Sequence, residues 1–258
     1  GGGGRGGGGG GDDNDSEDDD DPLARRRAIA TAPLLSRYAE ASPGGLLRLL
    51  DWFGTVVFAV SGSLTAQACG MDVLGATLVG LITAVGGGTI RDIITGAGAV
   101  FWLGEFEYFL LGTGSAAAAY LLSPNIATRW PPEHPLAAAY CTFMKWGDAI
   151  SVGTFAIIGA HNGLRRCLPL PACLLLGMMT ATFGGAVRDI ICKRPVRICH
   201  ANSEMYATMA LVAAGTYSIA TLACASPGVR IAAGLGASLA GRWYASSRDP
   251  SVLAGLLP

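Results

Sequence analysis

The sequence predicts an all-α integral membrane protein with seven transmembrane helices, arranged as two inverted three-helix repeats plus a seventh helix. Three observations predict this fold: the composition, a series of apolar segments, and an internal repeat. Of the 258 residues, 51% are hydrophobic and only 14% are charged, whereas a soluble domain carries about a quarter charged residues. This balance excludes a water-soluble enzyme domain and a nucleic-acid binder with a basic groove, so we expect a lipid bilayer and no nucleic acid as partner.

Residues 1–45 are predicted to be a disordered leader rich in glycine and acid, followed by a basic tether. Residues 1–22 hold one Arg and eight acidic residues, and the rest of the chain holds 17 Lys/Arg and 11 Asp/Glu. A segment of this kind buries too little apolar surface to fold. Residues 22–45 resemble an organelle transit segment in composition, but the acidic run before them is unusual in such peptides. We therefore interpret them as a tether beside the first membrane helix.

Apolar segments of membrane-spanning length follow the leader. A hydrocarbon core of ~30 Å needs ~20 apolar residues in a helix. The predicted spans are 47–68, 73–90, 106–122, 147–164, 170–191, 204–223 and 228–244. They divide the chain into a first three-helix repeat (46–122), a connecting loop (123–146), a second, inverted repeat (147–223), and a seventh helix with a C-terminal tail (224–258). Basic residues flank the two sides about equally, so they predict neither the orientation nor whether the membrane is that of the cell or of an organelle.

The internal repeat becomes visible when the chain is shifted by 97 residues. Fourteen of the 44 positions between 51 and 94 are then identical to positions 148–191, including the motif G-G-x-x-R-D-I-I at 87–94 and 184–191. Each copy contains three predicted spans, so the second copy must enter the membrane from the opposite side. Inverted repeats of this kind are typical of transport proteins, in which the solute path lies at the repeat interface.

Glycines precede the repeated Arg-Asp pair in both copies. They are Gly86, Gly87 and Gly88 in the first copy, and Gly184 and Gly185 in the second. Each glycine weakens a helix by ~1 kcal/mol relative to Ala, so we expect a kink or break that exposes backbone carbonyls to a solute path. Apolar sequence resumes after Asp92, which predicts that the first copy is not one straight helix.

Charged side chains beside these glycines are candidates for a polar constriction in the path. They are Arg91, Asp92, Arg188 and Asp189, together with Asp51 and Asp148, which open the first span of each repeat. An Arg at the bilayer centre costs at least ~2.5–3.5 kcal/mol, so it needs a partner. Adjacent residues point away from each other on a helix. We therefore expect partners across the repeats, or Asp51 and Asp148. In the structural alternative the arginines mark helix ends, and the two aspartates are favoured by the helix dipole.

Cysteine and histidine do not form recognisable ligand patterns. The seven Cys include no C-x-x-C pair, and the three His are far apart in the sequence. We predict no cofactor, metal site or disulfide. We interpret His161-Asn162 as a polar pair at a loop end.

The two D-x(6)-F-A-x-x-G … G-x-x-T-A-x-x-G-G-x-x-R-D units resemble the tandem glycine-transporter domain family, whose members are distant relatives of the trimeric intracellular cation channels. The likeness covers about residues 47–223. It implies a seven-helix protomer, a homotrimer with one path per protomer, and kinks at the glycines of the second and fifth helices. Phe183 stands where the first copy has a third glycine, Gly86.

The resemblance implies transport of a small solute, with two candidates. Glycine or a similar small amino acid is our first expectation, because an Arg beside an Asp suits a small zwitterion. The alternative is a homotrimeric channel for monovalent cations, chiefly potassium, because carbonyls and carboxylates suit a cation. A remote alternative is an intramembrane enzyme that uses Asp51 and Asp148 as acid and base, but no hydrolase motif accompanies them and we expect no enzyme.

Overall fold

The computed structural model describes residues 34–37, 40–129, 135–196, 198 and 206–248. The predicted glycine-rich and acidic leader, most of the tether and the end of the C-terminal tail lie outside the described residues. Regular secondary structure within the described residues is helical throughout and consists of α1 Pro43–Ala68, α2 Val73–Ile94, α3 Phe101–Gly104, α4 Glu107–Arg129, α5 Pro135–Arg165, α6 Leu170–Ile191, α7 Tyr206–Leu222 and α8 Pro227–Arg248.

Helix boundaries follow local signals in the sequence. The Ser42 side chain accepts a hydrogen bond from the backbone of Gly45 at the start of α1, and Asp72 accepts one from Gly75 at the start of α2. Both are side chains that favour the N-cap position. Helices α4 and α5 extend well into the predicted connection 123–146. For α5 the added residues include good helix formers such as Leu136 and the three alanines that follow it, whereas α4 continues through Ser123, Pro124 and Asn125, which helix propensity does not explain.

The turns of the two copies adopt the same backbone conformation. Gly70 and Cys167, which are 97 residues apart, both have positive φ values, 81° and 53°. Gly96 and Lys193, also 97 residues apart, have φ values of 61° and 52°. A left-handed residue just after a helix is a common way to end it. The copies therefore share turn geometry at positions where their sequences differ.

Large aliphatic side chains lie outside the bundle and charged ones lie inside it. The exposed fractions of Ile93 and Ile219 are 68% and 64%, whereas those of Arg91 and Arg188 are 6% and 4%. This is the reverse of a soluble protein and suits an apolar solvent.

Among the described helices, α1, α2 and α6 are long and apolar enough to cross a membrane. Helix α7 is a shorter apolar helix. The chain is an integral membrane protein whose described residues form helices and no strands.

Candidate functional site

The glycines of the repeated motif bring α2 and α6 into backbone contact. A Cβ atom added to Gly87 would lie 2.1 Å from the carbonyl oxygen of Thr180, and one added to Gly184 would lie 2.2 Å from that of Thr83. Thr83 and Thr180 are equivalent positions of the two copies, as are Gly87 and Gly184. The contact is therefore reciprocal, and the order of the pairs makes the two helices antiparallel where they cross.

The neighbouring glycines have different surroundings. A Cβ on Gly86 would lie 3.4 Å from the Cα of Gly184, and a Cβ on Gly185 would come no closer than 3.8 Å to Arg188. Gly88 faces the Phe101 ring, which a Cβ would meet at 2.6 Å. Helices α2 and α6 run through these glycines without interruption. The interruption of the first copy falls after Ile94, between α2 and α3, rather than at the glycines.

Arg91 pairs with its own neighbour Asp92 in the first copy. The guanidinium Nη2 lies 2.7 Å from Oδ1 of Asp92, and Nε donates to the same oxygen at 2.8 Å. The other carboxylate oxygen accepts a hydrogen bond from the backbone N–H of Phe101 at 2.9 Å. The Arg91 guanidinium also lies 5.6 Å from the centre of the Phe101 ring. Asp92 thus joins the end of α2 to the start of α3.

Arg188 repeats this arrangement in the second copy and adds a contact to the first. Its Nη2 lies 2.6 Å from Oδ1 of Asp189, and Nε donates to that oxygen at 2.8 Å. Nη1 donates to the hydroxyl of Ser61 on α1 at 3.2 Å. Arg188 therefore connects α6 of the second copy with α1 of the first.

We expected Arg91 and Arg188 to form ion pairs across the repeats or with Asp51 and Asp148. Their ion pairs within the described residues are different ones. Each arginine folds back onto the aspartate that follows it. Adjacent side chains do diverge at Cβ on a helix, but the long and flexible arginine stem spans that divergence. Burial favours the nearest carboxylate, because a guanidinium away from water needs a charged partner at close range.

Asp51 on α1 is placed by Tyr108 of α4. The Tyr108 hydroxyl donates to Oδ2 of Asp51 and accepts a hydrogen bond from Nη1 of Arg48 at 2.7 Å. Arg48 in turn pairs with Glu105, and its Nε donates to the carbonyl of Ser36 at 2.8 Å. Asp51 is 8% exposed, and it forms no ion pair with any residue in the described ranges.

Asp148 on α5 is neutralised, unlike its equivalent Asp51. Its Oδ2 lies 2.8 Å from Nη2 of Arg242 on α8, and both side chains are buried. The Arg242 guanidinium also lies 5.5 Å from the centre of the Tyr206 ring. Within the described ranges, equivalent positions therefore carry a carboxylate bound by a tyrosine hydroxyl in one copy and an ion pair in the other.

A cavity of about 400 Å³ lies beside Asp51. Its charged lining consists of four arginines, Arg48, Arg91, Arg165 and Arg166, and three acidic residues, Asp51, Asp92 and Glu105, and His161 also lines it. Asp148 is not among the lining residues, so the cavity does not bring Asp51 and Asp148 together as an acid–base pair. Clusters of three or more His, Cys, Asp or Glu that could hold a metal ion are absent from the described residues.

Sequence reasoning missed the side chains that surround the two aspartates. His161, interpreted above as part of a loop end, lies within α5, is buried, and shares a hydrogen bond of 2.9 Å between its Nδ1 and the Tyr217 hydroxyl. Arg48 could have been found, because it lies three residues before Asp51 and therefore on the same face of the helix. Tyr108 and Arg242 are distant in sequence and carry no comparable signal.

The all-helical membrane fold and its buried charged cluster define a membrane transport protein. The family model described as glycine transporter matches residues 48–124 and 145–222, which is more than half of the chain. The chain belongs to this family of membrane transport and channel proteins. The two matched stretches correspond closely to the two copies of the repeat.

Membrane proteins of bacteria are similar to this chain in sequence. A UPF0126 membrane protein of Vibrio cholerae is 33% identical over 169 residues, which are 65% of this chain and 65% of that protein. The UPF0126 inner membrane protein YadS of Escherichia coli is 32% identical over 172 residues, which are 65% of this chain and 75% of that protein. The chain thus spans just under two thirds of the length of the Vibrio relative.

Solved structures of TRIC channels are similar in both fold and sequence. The trimeric intracellular cation channel orthologue from Rhodobacter sphaeroides has a TM-score of 0.66 and 33% identity, over 77% of this chain and 96% of that one. A second TRIC cation channel has a TM-score of 0.67 and 26% identity, over 78% of this chain and 93% of that one.

Proposed function

We propose that this chain is a homotrimeric channel for monovalent cations, with one path in each protomer. The similar solved structures support this proposal, because they are named cation channels and one of them is named trimeric. The likeness covers nearly their whole length. These structures favour the cation alternative over glycine transport. The seven helices other than the short α3 would then span the bilayer, and the reciprocal contact of α2 and α6 supports an inverted arrangement of the two copies.

The carboxylate of Asp51 carries the proposal. It lines the 400 Å³ cavity, and its described neighbours supply a hydroxyl donor but no ion pair. A carboxylate beside a polar cavity attracts cations when it is charged, and at an effective dielectric constant of 20 two unit charges 4 Å apart interact by roughly 4 kcal/mol. The three acidic residues of the lining are Asp51, Asp92 and Glu105, and among the described residues Asp51 alone of these forms no ion pair within 4 Å. The charges of Arg48 and Arg91 act on it from a greater distance.

The arginines of the repeated motif are poorly suited to binding glycine. A zwitterion needs a guanidinium with donors available for its carboxylate. Arg91 directs two of its three nitrogens to Asp92. Arg188 directs two to Asp189 and the third to Ser61. Glycine would have to displace a buried internal ion pair, which costs several kcal/mol. A cation would leave both pairs intact.

The test is flux through purified protein in liposomes, with potassium and glycine measured in the same preparation. We expect potassium flux above that of empty liposomes and glycine uptake equal to it. Saturable glycine uptake without potassium flux would overturn the proposal.

The variant Asp51→Asn tests the role of the carboxylate, with Asp72→Asn as the matched control. Asp72 is an exposed N-cap of α2, and Asn caps a helix about as well as Asp. We expect Asp51→Asn to lower potassium flux by about tenfold, equivalent to about 1.4 kcal/mol, and Asp72→Asn to leave it unchanged. Equal flux in both variants would remove Asp51 from the path.

A further inference from the structure

Two cysteines that are far apart in sequence meet where α1 and α6 end. Cys69 is the C-cap residue of α1 and Cys192 is the C-cap residue of α6. The sulfur of Cys69 lies 3.7 Å from the backbone carbonyl oxygen of Cys192, so the two residues are in direct contact. One cysteine belongs to each copy of the repeat.

The two thiols have unequal surroundings, as a reactive and a resolving cysteine do. Cys69 is exposed, whereas Cys192 is 6% exposed and packs in a small cluster with Ala66 and Val79. Burial raises the pKa of the Cys192 thiol. Cys69 is therefore the thiol that meets a dissolved oxidant first.

The backbone beside both cysteines can adjust to a cross-link. A disulfide needs Cβ atoms about 3.5–4.5 Å apart. Gly70 and Lys193, the residues that follow the two cysteines, both lie in left-handed turns outside the helices. The backbone N–H groups of Cys69 and Cys192 donate to Ala66 at 3.1 Å and to Arg188 at 2.9 Å. Bringing the two sulfur atoms into bonding distance therefore acts on the last turns of the two helices and on the turns that follow them.

We propose that Cys69 and Cys192 form a redox modification site, which hydroperoxides convert into a disulfide that joins the two copies of the repeat. In the first step the Cys69 thiolate attacks the peroxide, the O–O bond breaks, and sulfenic acid and an alcohol or water form. In the second step the Cys192 sulfur attacks the sulfenic sulfur, the S–O bond breaks, and water leaves with the thiol proton. The two thiols lose two electrons, and the peroxide gains them.

The disulfide would fix the helices that Arg188 already connects. Arg188 lies one helical turn before Cys192, and its partner Ser61 lies two turns before Cys69. A covalent bond at the helix ends therefore restrains any movement of α6 relative to α1 at the Arg188–Ser61 contact. An effect of oxidation on cation flux rests on the proposed function; formation of the disulfide does not.

The experiment is oxidation of the purified full-length protein with hydrogen peroxide, alkylation of the remaining thiols, and tryptic mass spectrometry. Trypsin releases Cys69 within residues 49–91 and Cys192 within residues 189–193, and neither peptide contains another cysteine. We expect these two peptides joined, with a mass about 2 Da below their sum because two hydrogens are lost. Dithiothreitol should separate them.

Three variants decide between pairings. The joined peptide should disappear in Cys69→Ser and persist in Cys199→Ser, since Cys199 is the nearest other cysteine to Cys192 in the sequence. It should also persist in Cys224→Ser. A disulfide that contains Cys199, a disulfide between two chains through Cys69, or complete alkylation of both thiols after peroxide treatment would each overturn the proposal.

Potassium flux measured on the same oxidised sample tests separately whether the disulfide affects transport. If the disulfide forms and restrains a moving helix, potassium flux should fall on oxidation, recover with dithiothreitol, and be insensitive to peroxide in Cys69→Ser. A mapped disulfide with unchanged flux would confirm the modification site and reject its effect on the path.

Discussion

Replacement of Gly87 by alanine should destabilise the protein, whereas the same replacement at the adjacent Gly86 should not. A Cβ on Gly87 would lie 2.1 Å from the backbone oxygen of Thr180, about 1.3 Å closer than the 3.4 Å at which ordinary contact begins. A Cβ on Gly86 would lie at 3.4 Å from its nearest neighbour. The clash involves backbone, which cannot rotate away as a side chain does, so α2 and α6 must separate.

The expected magnitude combines two opposing effects. Alanine stabilises a helix by ~1 kcal/mol relative to glycine, and overpacking a tight contact costs ~1–3 kcal/mol. Because the Gly87 clash is with backbone, we take the upper end of the overpacking cost. The free energy of unfolding should then fall by about 2 kcal/mol in Gly87→Ala and rise by up to about 1 kcal/mol in Gly86→Ala. At ~2–4 °C per kcal/mol for a protein of this size, the melting temperatures of the two variants should differ by roughly 6–12 °C.

The second copy provides an independent repetition of the test. Gly184→Ala would place a Cβ 2.2 Å from the oxygen of Thr83, whereas Gly185→Ala would meet nothing closer than Arg188 at 3.8 Å. The assay heats detergent-solubilised protein and measures the fraction that still elutes as a single species from a sizing column. If Gly86→Ala and Gly185→Ala lose as much stability as Gly87→Ala and Gly184→Ala, the glycines act through backbone flexibility. That result would refute the role we assign to them, which is to allow close approach of the helices.

Two further outcomes test the buried polar contacts by the same thermal assay. Asp148→Asn should cost about 3–5 kcal/mol, because it removes one charge from a buried ion pair with Arg242; Asp72→Asn, at an exposed helix cap, should cost almost nothing, and equal losses would contradict this account. Tyr217→Phe should cost about 1 kcal/mol by removing the hydrogen bond to His161, and an unchanged melting temperature would mean that this bond adds no net stability.

The architecture could be predicted because the repeat leaves a strong record in the sequence. A shift of 97 residues aligns the glycines and the Arg-Asp pair, and the number of spans per copy follows from hydropathy. The structure extends this correspondence to turns such as Gly96 and Lys193, where residue identity is lost but the left-handed backbone is kept. Backbone geometry is repeated more faithfully than the sequence, because the ends of equivalent helices must reverse the chain in the same way.

The contacts of individual side chains could not be predicted in the same way. Gly86 and Gly87 are identical neighbours, and only the position of α6 distinguishes a tolerant site from an intolerant one. The partner of Asp148 lies 94 residues away in a helix outside the repeat, so no periodicity points to it. The choice of Asp92 by Arg91 depends on a side-chain rotamer, which helix spacing does not fix.

The different partners of Asp51 and Asp148 have a consequence for the electrical symmetry of the protein. A passage built from two identical inverted copies would present the same charge profile to ions from either side, and its current would have the same size at opposite voltages. Here Arg242 cancels the carboxylate of one copy, while the carboxylate of the other has only a tyrosine hydroxyl. If the proposed cation path passes Asp51, an ion that enters from one side meets this charge early in its passage, and one from the other side meets it late. Under the proposed function, protein inserted in one orientation should therefore rectify.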